Sequence, residues 1–390
     1  MTEEQELLID KLIINKELKE CYKRNGLCKN CKQTNSYFKW CQPCISNHFQ
    51  PNFKNWTSGN HDVDEFIQKA QLKAKYDLQI IEWIEYYRFE DVEYLAKGGF
   101  GTTFKAVWKD GPWELNDDSQ LERVGETKVA LKCLNNSQDI TADFLKEVES
   151  NILVYNTGRT VRCFGITKDP KTNDFMMVME LKDYSLRQHL NNSFISMNWE
   201  EKLFTLYNIA DGLEDIHNEE LIHQDLHCGN ILSNDIHQAF ITDLGLCQPA
   251  NVKSSQNSLR PKSNYKIPQL IFDIINQCWD ADPLKRPNAG KLQSLMSKLY
   301  WDFLDIAGDK SDSVINKQAN EADEINKKLS FSLPLISIGT ISYETHPQAV
   351  YTSRLLDFKN LPEPDNNDDL LGIEYSESIK VDFTKLDIAN

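Results

Sequence analysis

The spacing of apolar positions changes several times along the chain, and each change marks a different kind of element. Residues 3–20 place Leu7, Ile14 and Leu18 on one helical face, with Leu8 and Leu12 beside it. In NWTSGNHDVDEFIQKA, Asp62 and Glu65 make an acidic version of a capping box, and Val63, Phe66, Ile67 and Ala70 recur at helical spacing. That pattern predicts a short amphipathic connector helix. From about Trp83 the residues turn aromatic and β-branched, and a main domain begins. Within it, Val129-Ala130-Leu131-Lys132 reads as an apolar strand ending in one cation, and DFLKEVES as a helix carrying Glu147. Ile267-Pro268 leads into a late helix, IFDIINQCW. Beyond about Asp305 no periodicity is sustained, and residues 361–390 carry eight acids against two lysines, the composition of a mostly disordered tail.

These textures divide the 390 residues into a cysteine-bearing module with a leading helix (1–50), a connector (51–85), a main domain (86–305) and an acidic tail (306–390). No internal repeat is present. The formal net charge of −16 counts against a general nucleic-acid binder, which needs excess cations to displace phosphate counterions. No apolar run approaches the roughly 20 residues of a membrane helix, and the acidic start MTEEQELLIDK lacks a signal pattern. An intracellular protein is expected, cytoplasmic with the nucleus as an alternative.

Five of the ten cysteines lie between Cys21 and Cys44, and the other five are scattered through apolar stretches. Cys28-x2-Cys31 and Cys41-x2-Cys44, nine residues apart, make two paired thiolate hooks, with Gly26 and Pro43 suited to the tight turns. Four soft ligands in tetrahedral array suit a structural zinc ion, and Cys21 is left over. A redox pair and reduced structural thiols are the alternatives.

A second set of residues is of the kind that suits a phosphate group. The stretch YLAKGGFGTTFK, from Tyr94 to Lys105, is a glycine-rich strand–turn–strand that lets backbone N–H groups approach a polyphosphate. Lys132 ends a strand, and Glu147 is placed to hold it as an ion pair. HQDLHCGN, from His223 to Asn230, and ITDLG, from Ile241 to Gly245, supply Asp225, Asn230 and Asp243, hard oxygen donors of the kind Mg²⁺ takes alongside phosphates.

These four elements, in this order and at these separations, resemble the eukaryotic protein-kinase family, and its tyrosine-kinase-like branch most closely, over roughly Tyr86 to Asp305. The Cys hooks together with NWTSGN also resemble an expanded kinase family of mycorrhizal fungi. The resemblance implies an α+β fold of two lobes, a β-rich N-lobe and a helical C-lobe, that uses ATP and Mg²⁺ to phosphorylate protein hydroxyls, serine and threonine favoured. Protein substrates and scaffold partners follow from it; nucleic acid and membrane do not.

By the same resemblance Gly98 and Gly101 would cover the phosphates, with Ala96 in place of the first glycine. Lys132 would contact the α- and β-phosphates, oriented by Glu147; Asp225 would accept the hydroxyl proton; Asn230 and Asp243 would hold the metal ions. Met179 would stand beside the adenine, Glu180 and Leu181 in the hinge, and Ala130 and Leu232 on either face of the base, with Thr103 replacing the usual valine. Gln224 stands where many kinases carry an arginine, and His227 where serine/threonine kinases carry a lysine near the transferring phosphate.

One spacing departs from the family. In CWDADPLKRP, Arg286 lies 43 residues after Asp243, a gap too short for an A-P-E segment and the two helices that follow it, and no A-P-E occurs. The C-lobe therefore reads as truncated by an internal gap. Leu213, Ile216 and Leu221 are expected to lose a packing surface, and Arg286 the glutamate it would meet. A segment missing from the message or gene model is one reading. A nucleotide-binding pseudokinase or scaffold without efficient transfer is the alternative function, and a rewired active lobe is the third reading.

Overall fold

A computed structural model describes residues 15–37, 39–97, 101–134, 137–138, 140–155, 158–194, 196–234, 238–249, 265–304 and 313–332, with single positions 7, 10, 11 and 13. The chain opens with helix α1 (Lys16–Asn25), followed by the two cysteine hooks and α2 (Gln42–Phe49), with Pro43 in its first turn, where no intrahelical N–H is needed. Next comes α3 (His61–Lys73), the expected connector helix. Its cap is Asn60 rather than Asp62: the Asn60 side chain accepts from the Asp62 and Val63 N–H groups at 2.9 and 3.2 Å. Asp64 instead ties back the preceding turn through Thr57 and Ser58.

Strands β1 (Glu82–Trp83), β2 (Phe89–Lys97) and β3 (Gly101–Trp108) precede a small hairpin of β4 (Trp113–Leu115) and β5 (Leu121–Arg123). Then follow β6 (Thr127–Leu134), helix α4 (Ala142–Leu153), β7 (Cys163–Lys168) and β8 (Phe175–Glu180). Six strands form one sheet in the order β1-β7-β8-β6-β3-β2, antiparallel except for β1, which runs parallel to β7. The core between this sheet and the helices takes in the connector. Val63 and Ile67 of α3 are fully buried against Phe144 and Val148 of α4 and Met177 of β8. Each such side chain contributes about 1.5–3 kcal/mol on burial, so α3 is part of this core rather than a loose connector.

The cysteine module is joined to the same lobe. Trp40 is fully buried with Ile45, Phe49, Ala74 and Ile80, and Trp113 and Leu121 of the hairpin pack on them. The Trp40 indole donates to the Ala74 carbonyl at 3.0 Å, at the C-terminus of α3. Arg123 of the hairpin grips Glu82 of β1 with two bonds of 2.7 Å, a bidentate pair that anchors the sheet edge.

The second lobe comprises β9 (Tyr184–Ser185), α5 (Leu186–Ser193), α6 (Trp199–Asn218), β10 (Leu221–Ile222), β11 (Ile231–Ser233), β12 (Ala239–Ile241), β13 (Gln248–Pro249), α7 (Gln269–Cys278), α8 (Ala289–Leu304) and α9 (Val314–Ser332). Ser185 and Asn198 each complete a capping box at the starts of α5 and α6. Two expectations change here. Within the segment read as tail, α9 is a packed helix: Ile315, Ala319 and Ala322 are buried against α6, α7 and α8. The packing surface expected to be lost is also present. Ile216 is fully buried with Val154, Ile241, Leu244 and Cys247, and Leu213 and Leu221 pack against that cluster. Helices α8 and α9 lie directly on α6 and close the lobe. Arg286 is exposed and donates to the Asp280 carbonyl at 2.8 Å, so no unpaired charge is buried. The rest of the segment read as tail, and most of the stretch between Gln248 and Tyr265, lie outside the described residues. Among the described residues, no helix is long and apolar enough to cross a membrane.

Candidate functional site

Three elements converge where the two lobes meet. Lys132 sits on β6, opposite Thr103 of β3 and Met177 of β8. Its ammonium lies 2.6 Å from Glu147 Oε1 on α4 and 2.9 Å from Asp243 Oδ1. All three side chains are shielded, with 14% of Lys132, 4% of Glu147 and 14% of Asp243 exposed. Burial works against the ammonium, but the carboxylates of Glu147 and Asp243 outweigh it and hold the Lys132 pKa above the ordinary lysine value. This cation stays charged. The pairing read from sequence for Lys132 and Glu147 is present, and Asp243 joins it.

The loop from His223 to Asn230 and the loop carrying Asp243 are stitched together by hydrogen bonds. Thr242 N–H donates to the Asn230 carbonyl at 3.0 Å, and the buried His223 ring bonds the Thr242 carbonyl through Nε2 at 3.0 Å. His223 Nδ1 in turn accepts from Asp225 N–H at 3.3 Å. The Asn230 amide donates to the Asp225 carbonyl at 3.0 Å and to its carboxylate Oδ2 at 3.3 Å. With Nδ2 donating, Oδ1 is the ligand atom Asn230 has left for a cation. Asp243 adopts a left-handed backbone (φ 66°), as does Gln224 (φ 63°), conformations that tight loops hold only with such support. Asp225, Asn230 and Asp243 are thus gathered from two loops, and Lys132 and Glu147 from the sheet and α4.

The residues expected around the base belong to an apolar cluster. Met179 of β8 is buried in the same core cluster as Met177 and Phe240, and Ala130 and Leu232 pack on that cluster from β6 and β11. Ala130 pairs with Met179 across the β6–β8 ladder. Glu180 ends β8, receives a bond from Lys182 at 2.6 Å, and its N–H donates to the Arg162 carbonyl; Leu181 follows it. Ala96 is exposed on β2 opposite Thr103. Gly101 opens β3 opposite Leu134, where a Cβ would come within 1.9 Å of the Cys133 carbonyl oxygen; here the bare glycine serves strand contact. Gly98 lies outside the described residues. The sequence reading assigned no task to His223 or to the α3–α4 contact. The signal for the second was present, since Val63 and Ile67 are four residues apart on one helix face.

At the other end of the lobe, the Sγ atoms of Cys28, Cys31, Cys41 and Cys44 all lie within 4.8 Å of one another. Sulfurs bound to one tetrahedral Zn²⁺ at about 2.3 Å stand about 3.8 Å apart. The closest pairs here, Cys28–Cys44 and Cys31–Cys41, are 3.7 and 3.4 Å apart, so the donor set fits such an ion. Burial opposes ionisation of Cys28, but N–H groups of Cys31 and Asn30 and the neighbouring sulfurs bring its pKa down to about 7; burial pushes Cys44 up to about 11.

Comparison with known proteins gives matches over the stretch that holds Lys132, Glu147, Asp225, Asn230 and Asp243. Residues 89–269 match the family described as protein tyrosine and serine/threonine kinase. An inactive leucine-rich repeat receptor-like serine/threonine-protein kinase of Arabidopsis thaliana is 28% identical over 185 residues, 46% of this chain and 27% of that protein. Cyclin-dependent kinase 12 of Drosophila melanogaster is 24% identical over 198 residues, 47% of this chain and 16% of that protein. A serine/threonine-protein kinase-like protein of Arabidopsis thaliana is 28% identical over 160 residues, 40% of this chain and 21% of that protein. The chain therefore spans only 16–27% of the length of these relatives. Strands β2 to β13, the Lys132 pair, the two stitched loops and helices α4 to α6 fall within the matched stretch, and residues 89–269 carry the protein kinase domain.

Proposed function

We propose that this chain is a Mg·ATP-dependent protein kinase that transfers the γ-phosphate to a serine or threonine hydroxyl of a protein substrate, and that it lies in the tyrosine-kinase-like branch with the fungal family its N-terminus resembles. The observation that carries this reading is the shielded contact of Lys132 with both Glu147 and Asp243, which joins the sheet, α4 and the metal-binding loop at one point. Lys132 binds the α- and β-phosphates and Glu147 aims it. Asn230 and Asp243 hold Mg²⁺, which supplies charge neutralisation at the phosphates when bound. Asp225 orients the acceptor hydroxyl and takes its proton. Met179, Ala130 and Leu232 enclose the base, with the hinge at Glu180 and Leu181. Transfer of this kind rests on positioning and charge stabilisation more than on covalent help.

The four cysteines hold a structural Zn²⁺ that fixes the N-terminal module against the lobe. Catalytic zinc is not part of the reading, because all four donors are spent on one closed tetrahedron.

A second reading, nucleotide binding without efficient transfer, is favoured by one observation. Among the described residues Arg286 meets a carbonyl rather than a carboxylate, and the sequence contains no A-P-E segment. A transfer assay with Mg·ATP and a generic protein substrate separates the two. The kinase reading expects phosphoprotein and ADP, both abolished by Asp225→Asn. Thermal stabilisation by Mg·ATP with no ADP formed would replace it with the second.

A further inference from the structure

Within the loop that carries Asp225, the ring of His227 is held by two backbone bonds to one of its nitrogens. Its Nδ1 accepts the Gly229 N–H at 3.0 Å and the Asn230 N–H at 3.2 Å. An acceptor at Nδ1 places the proton of the neutral ring on Nε2. That nitrogen faces Asp225 Oδ1 at 3.8 Å. The other carboxylate oxygen, Oδ2, is the one that the Asn230 amide already holds. Gly229 makes this arrangement possible: a Cβ there would lie 2.8 Å from His227 Cε1, so any side chain would push the ring off the loop.

We propose that His227 is a positioning residue for phosphoryl transfer, its ring fixed by the loop backbone so that the Nε2–H sets the orientation of the Asp225 carboxylate. This rests on the kinase reading and adds a residue to it. In the step concerned, the acceptor oxygen forms its bond to Pγ as the bond from Pγ to the β-phosphate oxygen breaks. ADP leaves with that electron pair, and the hydroxyl proton passes to Asp225. With Oδ2 held by Asn230 and Oδ1 faced by His227, the carboxylate plane is set, and each oxygen keeps a lone pair for the incoming hydroxyl. A separation of 3.8 Å is longer than a hydrogen bond, as catalytic contacts often are before substrate arrives, and the role proposed for His227 requires it to shorten when substrate binds. A cation at this position would act as a point charge; histidine gives a directed donor.

Two substitutions in the full-length chain separate this role from simple loop support. His227→Asn puts a carbonyl oxygen near the place of Nδ1 and keeps the turn to Gly229 and Asn230, but its amide falls short of Asp225. His227→Gln puts an N–H near the place of Nε2 and gives up the turn. Steady-state kinetics with Mg·ATP and a peptide acceptor are measured alongside Tm. His227→Asn is expected to lower kcat about tenfold or more with both KM values within about twofold of wild type, while His227→Gln recovers most of kcat. Full activity in His227→Asn, or equal losses in both variants, overturns the proposal and leaves the ring as loop support. A wild type that binds Mg·ATP but forms no phosphopeptide overturns the kinase reading itself, and this inference with it.

Discussion

Replacing Lys132 with methionine tests how the site is held together as well as what it does. The ammonium is the only cation in contact with Glu147 and Asp243 among the described residues, and Glu147 is 4% exposed. Its loss leaves two carboxylates facing each other out of water. Removing one partner of a buried pair costs about 3–5 kcal/mol. For a domain of this size, at about 2–4 °C per kcal/mol, that corresponds to a Tm lower by about 6–20 °C. The sign of the pH dependence follows from the raised Lys132 pKa. The contribution of the pair is complete below the ordinary lysine value of 10.5 and is lost only as pH rises through the higher folded value. The Tm difference between wild type and Lys132→Met is therefore expected to stay flat from neutral to mildly alkaline pH. The companion variant Lys132→Met/Glu147→Met removes the stranded charge on α4 and is expected to recover much of the Tm, because apolar replacements of a buried pair are often neutral or stabilising. Neither variant should transfer phosphate. Differential scanning calorimetry and a transfer assay read both. A Lys132→Met protein with wild-type Tm would refute the reasoning, since the pair would then not be shielded from water.

Purified protein is expected to contain close to one zinc per chain, with Cys41→Ser losing the metal and lowering Tm through the Trp40 contact to α3; metal analysis and melting check both. Absence of zinc, together with a Tm indifferent to chelator, would remove the metal site. Ala322→Glu places a charge in the fully buried contact of α9 with α6–α8. It is expected to cost several kcal/mol and to expose the second lobe to limited proteolysis, whereas a silent substitution would mean that α9 does not close that lobe.

The parts of this molecule that sequence reveals are those whose chemistry and spacing coincide. Lys132 stood out because the apolar run Val129, Ala130 and Leu131 leads into a charge, although β6 continues past it to Leu134, and Asp225, Asn230 and Asp243 because two short loops concentrate oxygen donors. The connector helix was visible from the recurrence of Val63 and Ile67, but its partner was not: nothing local says that α4, some 80 residues later, would bury it. Helix α9 escaped notice for a different reason. Its buried face is Ile315, Ala319 and Ala322, and two alanines give little hydrophobic contrast in an otherwise charged stretch. The packing of Leu213, Ile216 and Leu221 was hidden for another reason: the short spacing from Asp243 to Arg286 suggested a lost surface, whereas Val154, Ile241, Leu244 and Cys247 supply it from elements before that gap and at its start. The Asn60 cap was missed because Asp62 and Glu65 offered a capping pattern two residues further on, and only side-chain geometry decides between them.

The most direct test of the account is amide hydrogen exchange on the intact chain with and without Mg·ATP. The account predicts slower exchange together in the strand around Lys132, the loop from Asp225 to Asn230 and the turn at Asp243, because one magnesium triphosphate bridges all three. Unchanged exchange in those segments at saturating nucleotide would contradict it.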